Sequence, residues 1–163
     1  MSLYKFIYDD KEYLLKEENC SALINDEENP VQGVSISKII DILNEAEEVD
    51  FDVEYYQEAC PLCLEGVKEK KKFFPFLEYH FYIFSKDGEY VISNISVDYK
   101  GLSFNKLSRA NKVDNSYIVS VIICENCQDY IVQCKVCLNL REISKLRHQL
   151  FSKIVWKITK FMR

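Results

Sequence analysis

The chain has 163 residues, 48% of them hydrophobic and 29% charged, and this composition predicts one folded domain and excludes wholesale disorder. The net charge of −5 hides an asymmetry, because residues 1–65 carry 17 acidic and four basic side chains whereas residues 135–163 carry eight basic and one acidic. No apolar run approaches the roughly 18 residues of a membrane-spanning helix, and the first residues lack the pattern of an export signal.

Two elements are predicted in the first third of the chain. Short apolar stretches at 3–8 and 12–15, separated by polar residues, predict a hairpin. Farther on, isoleucine and leucine residues repeat at helical spacing behind a serine that can accept a free backbone N–H. We therefore expect a helix over about 36–48, capped by Ser35 or Ser37.

The middle of the chain predicts mainly strands. Residues 51–56 fit either a strand or a short helix. The basic run 68–72 predicts a surface loop, and Pro75 just after it should break any regular element there. Aromatic and β-branched residues over 78–84 and 90–99, joined through an Asp-Gly turn, predict a second hairpin. Residues 117–123 are apolar on both faces, as is typical of a central strand.

The end of the chain has the pattern of an amphipathic helix over about 139–161. Its polar arc is basic and contains Trp156, which is suited to a nucleic acid, a membrane interface or the groove of a partner protein. Packing of Trp156 on another element of the chain or on a second subunit is the favoured interpretation. One apolar arc holds seven residues: Leu140, Ile143, Leu146, Leu150, Ile154, Ile158 and Phe161.

These elements predict an α+β fold in a single domain, 1–163. We expect a mostly antiparallel sheet, one mid-chain helix and a long C-terminal helix. The domain would comprise an acidic N-terminal part (1–65), a β-rich middle (76–133) and the basic helix (139–161).

Six of the seven cysteines form three Cys-x-x-Cys pairs, and this is the most informative motif in the chain. A turn with this spacing places two thiolates on one side, and two such turns supply the four sulfur ligands of a structural Zn²⁺ ion. Cys20 is then a free thiol. The three pairs are Cys60 with Cys63, Cys124 with Cys127, and Cys134 with Cys137.

The sequence Cys60-Pro-Leu-Cys63, with a glycine just beyond, resembles the first knuckle of zinc ribbons and rubredoxin-like sites. Cys124-Glu-Asn-Cys127 looks like the second knuckle, whereas Cys134-Lys-Val-Cys137 resembles the second ligand pair of a treble clef. The resemblance favours a zinc site of Cys60, Cys63, Cys124 and Cys127, with Cys134 and Cys137 in reserve. All three ways of combining two pairs remain open.

Two other interpretations of the cysteines compete with zinc. The thiols can simply be buried in a core, since cysteine is among the most buried residue types. Alternatively, Cys60-Pro-Leu-Cys63 resembles the dithiol of glutaredoxin-like oxidoreductases. That fold places a cis-proline well downstream of the dithiol, whereas the prolines here are Pro30, Pro61 and Pro75. The redox interpretation is therefore less favoured.

For function, the sequence favours a small non-enzymatic binding or scaffold protein stabilised by zinc. It has no catalytic motif and no glycine-rich phosphate loop, and both histidines, His80 and His148, are interpreted as structural. Lysine outnumbers arginine by 17 to four, as in AT-rich bacterial genomes, and we expect a cytoplasmic location. A nucleic-acid-associated role through the basic helix is the alternative, although the pI of about 5.2 opposes it; a thiol oxidoreductase comes third.

Overall fold

The computed structural model describes residues 2–137, and β-strands make up most of the regular structure in that range. The two α-helices are α1 (Ile36–Glu45) and α2 (Phe104–Arg109), and Glu17–Asn19 and Val97–Tyr99 form single 3₁₀ turns. The eight strands are β1 (Leu3–Tyr8), β2 (Lys11–Lys16), β3 (Cys20–Ile24), β4 (Asp52–Tyr56), β5 (Phe74–Lys86), β6 (Glu89–Ser93), β7 (Asn115–Cys124) and β8 (Tyr130–Val136).

Six of the strands form one sheet in the order β3-β8-β7-β5-β4, with β6 also paired to β5. Only the β3–β8 pair in this sheet is parallel. The 13-residue strand β5 is long enough to pair with β4 near its start and with β6 at its end. Strands β1 and β2 form a separate antiparallel hairpin.

Local sequence explains several of these elements. The Ser35 side chain accepts the backbone N–H of Lys38 and so caps α1. Asp87 and Gly88 both have positive φ, 51° and 81°, which is the backbone conformation that a tight two-residue hairpin turn needs. Both features were predicted from the sequence, and the two predicted hairpins are present.

The main core lies on one side of the six-stranded sheet, which we call the inner face. Helix α1 and the β1–β2 hairpin contact each other, and together they cover this face. On the hairpin, Phe6 stacks on Phe51 with 4.2 Å between ring centroids. The most buried members of the core are Tyr13, Leu15, Ile39, Ile42, Leu43, Leu77, Phe81, Ile83, Val119, Val121, Ile123, Tyr130, Val132 and Cys134.

The α+β prediction is wrong, because residues 2–137 are mostly β and α1 is the only helix among them longer than six residues. The predicted helix over 139–161 lies outside the described residues. Helix α1 ends at Glu45, three residues earlier than expected, and residues 52–56 form a strand. No helix in the described range is long and apolar enough to cross a membrane.

Pro75 was expected to break regular structure, yet it lies inside β5. It pairs with Tyr55 on β4, and the pairing of β5 with β7 begins only at the next residue, Phe76. Proline is tolerated in a strand where its missing N–H faces no partner. Because β5 has a neighbour on only one side at this point, Pro75 can be accommodated.

Asp26 fastens the loop after β3 to the end of β8. Its buried carboxylate accepts the backbone N–H groups of Glu28 and Asn29 on one oxygen and that of Val136, 3.1 Å away, on the other. Burial by itself raises the pKa of Asp26, but the N–H groups of Asn29, Val136 and Glu28 outweigh it and lower that pKa below its ordinary value. The ionised form is therefore stabilised by folding.

Replacing this carboxylate should destabilise the protein in a pH-dependent way. Asp26→Asn places an amide NH₂ against backbone donors, and we expect a loss of about 1–3 kcal/mol in the free energy of unfolding at pH 7. Because the folded-state pKa is lowered, the stabilisation is present above the unfolded pKa and disappears as pH falls through the folded value. Urea unfolding at several pH values should thus show that the difference in free energy of unfolding between the unchanged protein and Asp26→Asn becomes smaller below about pH 4. Asp98→Asn, an exposed control, should have little effect; equal losses for both variants would contradict the assignment.

Candidate metal centre

Four cysteine sulfur atoms converge at one end of the six-stranded sheet. The Sγ atoms of Cys60, Cys63, Cys124 and Cys127 all lie within 4.8 Å of one another. Cys60 Sγ is 3.7 Å from Cys127 Sγ, and Cys63 Sγ is 3.7 Å from Cys124 Sγ. With Zn–S bonds of about 2.3 Å, the sulfur atoms of a tetrahedral site are about 3.8 Å apart. The four cysteines can therefore hold one metal ion.

Both Cys-x-x-Cys segments adopt the same local conformation. In the first, the backbone N–H of Leu64 donates to the carbonyl oxygen of Cys60 over 2.9 Å. In the second, the N–H of Gln128 donates to the carbonyl oxygen of Cys124 over 3.0 Å. Leu64 and Gln128, which follow the second cysteine of each pair, both have positive φ, 52° and 63°. We call these two segments, 60–64 and 124–128, the knuckles.

Strand pairing brings the knuckles to the same end of the sheet. The first belongs to the loop of residues 57–73 that joins β4 to β5, and the second follows the last residue of β7. Cys124 pairs with Phe76, two residues after β5 begins. Because β4, β5 and β7 are neighbours, the loop and the end of β7 are close in space although the two cysteine pairs are far apart in sequence.

Gly66 lets the 57–73 loop fold tightly behind the first knuckle. Its φ is +84°, and a Cβ atom here would lie 2.8 Å from the Lys71 side chain and 3.2 Å from Phe74. The loop closes through a hydrogen bond from the N–H of Lys71 to the carbonyl of Gly66. A side chain at position 66 would meet both backbone strain and crowding.

The β1–β2 hairpin holds the second knuckle in place. The N–H of Leu14 donates to Oε1 of Gln128 over 3.1 Å, and Nε2 of Gln128 donates to the carbonyl of Glu12 over 3.0 Å. The ammonium group of Lys11 donates to the carbonyl oxygen of Glu125. Neither Gln128 nor Lys11 was singled out from the sequence, because their partners are more than 100 residues away along the chain.

The thiols of Cys60, Cys124 and Cys127 differ in acidity in the metal-free protein. A hydrogen bond from the Cys124 thiol, assisted by the backbone N–H groups of Cys63 and Leu62 and opposed by burial, lowers the pKa of Cys60 to about 5. The same hydrogen bond, together with burial, raises the pKa of Cys124, which is the donor. Burial raises the pKa of Cys127 to about 11. Cys60 is therefore ionised more readily than Cys124 and Cys127, and a bound cation would favour loss of the protons from those two thiols.

The remaining cysteines lie elsewhere. Cys134 is 1% exposed in the main core, where burial raises its pKa to about 12, and Cys137 follows the end of β8. Cys20 lies on β3, and burial raises its pKa to about 11. The segment from Cys134 is extended rather than turned, so that side chains three residues apart point to opposite faces. In residues 2–137, the four-cysteine cluster is the one group of three or more potential metal ligands.

A cavity of about 260 Å³ opens beside the cluster. Cys60 and Cys124 line it, the aromatic ring of Phe74 forms part of its wall, and Lys11 and Lys71 bring positive charge to it. Glu65 and Glu125 also line the cavity, so its lining residues carry as many acidic as basic side chains.

Comparison with known proteins gives one match. Residues 4–138 match a family described as "Protein of unknown function (DUF3785)". No curated protein and no solved structure gives a significant match.

The cysteine assignment can be tested by metal titration of single variants. We expect one Co²⁺ or Zn²⁺ ion per chain, with the absorption spectrum of Co²⁺ showing four thiolate ligands. Cys60→Ser and Cys124→Ser should each weaken binding by at least about 100-fold, because a thiolate is lost from a closed shell. Cys20→Ser and Cys137→Ser are the matched controls and should bind normally. Loss of metal in the Cys137 variant, with retention in the Cys60 variant, would show that another shell is used.

Metal affinity should also depend steeply on pH. The Cys124 and Cys127 thiols, whose pKa values are raised, must each release a proton when they become ligands. These two protons alone predict that the apparent Kd for Zn²⁺ increases by at least about 100-fold for each pH unit lowered between pH 8 and 6. Competition with a chromophoric chelator measures this slope. A Kd that is independent of pH would show that these thiols are not ligands.

Proposed function

The chain belongs to the DUF3785 family, whose function is not established, and we propose that it is a structural zinc protein that acts as a non-enzymatic binding module. In this proposal Cys60, Cys63, Cys124 and Cys127 bind one Zn²⁺ ion. The ion fixes the 57–73 loop against the end of β7 and the β1–β2 hairpin.

The observation that carries the proposal is the spacing of the four sulfur atoms in two knuckles of the same conformation. Structural zinc sites have four protein ligands, whereas catalytic sites keep one position for water or substrate. Four thiolates fill the tetrahedral shell. This favours a structural role for the ion.

The pairing of sulfur atoms favours metal binding over dithiol chemistry. In a redox Cys-x-x-Cys, the two sulfurs of one motif must react with each other. Here Cys60 lies 3.7 Å from Cys127 of the other knuckle, and Cys63 lies 3.7 Å from Cys124. The sulfurs are thus arranged as one group of four.

The binding surface that we assign to the module is the 57–73 loop. Exposed apolar side chains that cluster on a surface are typical of interaction sites. The loop exposes 46–57% of the side chains of four such residues, Leu62, Leu64, Val67 and Phe73. Four exposed lysines follow or accompany them, Lys68, Lys70, Lys71 and Lys72. Leucine and valine do not stack on bases, so these residues suit a protein partner better than a nucleic acid.

Zinc removal tests the structural role. We expect the chelated protein to unfold at a lower temperature, with a loss of about 3–4 kcal/mol relative to protein in excess zinc, because the ion binds the folded state. Amide hydrogen exchange should increase first in 57–73 and 124–128, which the ion would join. The core strands should exchange as before at moderate temperature.

A Leu64→Ser variant separates binding from folding. The variant should keep its zinc and its unfolding temperature, because Leu64 is 55% exposed. When a photoreactive group replaces Phe73, the protein should form cross-links to partner proteins. Leu64→Ser should abolish those cross-links. The matched control is Val91→Ser, at a residue that is 42% exposed on β6.

In the zinc-removal experiment, zinc-free protein that exchanges its amides and unfolds like the zinc-bound form would disprove the structural role.

A further inference from the structure

The face of the six-stranded sheet opposite the main core, here called the outer face, has an apolar centre. Ile122 and Ile131 are each 5% exposed and form a small cluster with Tyr56. The partly buried residues packed against them are Ala22, Ile24 and Phe76, so every member of the cluster lies on a strand of the same sheet. A sheet face in contact with water normally carries polar side chains. This face therefore needs a covering layer.

A buried acidic group lies in the same face. The side chain of Glu78 is 3% exposed, and its Oε2 is 3.2 Å from Nε2 of His80, whose Nδ1 lies 2.8 Å from Oγ of Ser120. The other carboxylate oxygen, Oε1, has no hydrogen-bond partner in the described part of the chain. An unpaired carboxylate oxygen at such depth is costly unless a donor reaches it.

The chain leaves the sheet beside this face. The backbone N–H of Cys137 donates to the carbonyl oxygen of Ser116 over 2.8 Å, which fixes the point of exit next to β7. Glu78 is in register with Ile122, and Ile122 with Ile131. The distance from the exit to that row is about five strand residues, or roughly 17 Å. The 26 residues that follow Cys137 can span it easily.

From these observations we propose that residues 138–163 pack across the outer face and that one of their basic side chains pairs with Glu78. The segment has seven basic residues and one acidic residue. It also has twelve large apolar side chains, more than a segment exposed to water normally carries. Its composition matches a face that offers both apolar surface and a buried carboxylate.

The charges of the outer face favour this occupant over a second copy of the same face. Around the apolar cluster, the charged groups that this side of the strands presents besides Glu78 and His80 are Asp52, Glu54 and Lys135. Two such faces packed against each other would bring three acidic groups of one copy towards three of the other. Like charges brought together in a desolvated contact are unfavourable.

Photo-cross-linking in the full-length zinc-loaded protein tests the proposal. Benzoylphenylalanine replaces Tyr82, which is 37% exposed and pairs with Ile118 on β7, or, as a matched control, Tyr55, which is 66% exposed on β4. We expect cross-links from position 82, but not from position 55, to peptides of residues 138–163 in the same chain. Mixing ¹⁵N-labelled with unlabelled protein identifies links between copies. Links only between copies, or none to 138–163, would overturn the proposal.

Hydrogen exchange tests the assigned contact with Glu78. Glu78→Gln removes the charge with little change in shape, and we expect the amides of 138–163 to exchange about tenfold faster, since a charge-assisted hydrogen bond is lost. Glu45→Gln, at an exposed glutamate on α1, which packs over the inner face, is the control and should leave exchange unchanged. If Glu78→Gln also leaves it unchanged while the protein remains folded, Glu78 does not hold the segment.

Discussion

Repulsion between the four sulfur atoms at one end of the sheet is the interaction on which this part of the protein depends. Two thiolates 3.7 Å apart would repel each other by about 4 kcal/mol at an effective dielectric constant of about 20. In the metal-free cluster the raised pKa values of Cys127 and Cys124 keep both thiols protonated beside Cys60. A divalent cation would remove the same repulsion by attraction. The cluster is therefore suited to a metal ion by its charge as well as by its geometry.

The strand register links the four sulfur atoms to the chain segments around them. Cys124 pairs with Phe76, so the second knuckle is fixed to the start of β5, where the 57–73 loop ends. Gln128 then joins the knuckle to the hairpin through both ends of its side-chain amide. Three segments that are distant in the chain thus meet at one point. Any change in the position of the sulfur atoms would therefore alter the packing of all three segments.

Strand β7 shows why the two faces of the sheet differ. Its residues alternate between an inner face covered by α1 and the hairpin and an outer face that mixes Ile122 with Ser120. The sequence shows that residues 117–123 are apolar on both sides, but it does not show that a buried glutamate lies next to them. Glu78 comes from another strand, and its environment arises only when β5 and β7 pair.

The sequence by itself determined the local features: both hairpins, the Ser35 cap and the strand before Cys124. It also restricted the site to three pairs of cysteines, because Cys-x-x-Cys spacing is a local property of a turn. It placed the end of α1 three residues too late and missed β3 and β8. Only the tertiary structure decided which sulfurs meet, because that depends on β4, β5 and β7 being neighbours. Cys134 was left in the core for the same reason: β8 continues through it as a strand, and an extended chain cannot form a knuckle.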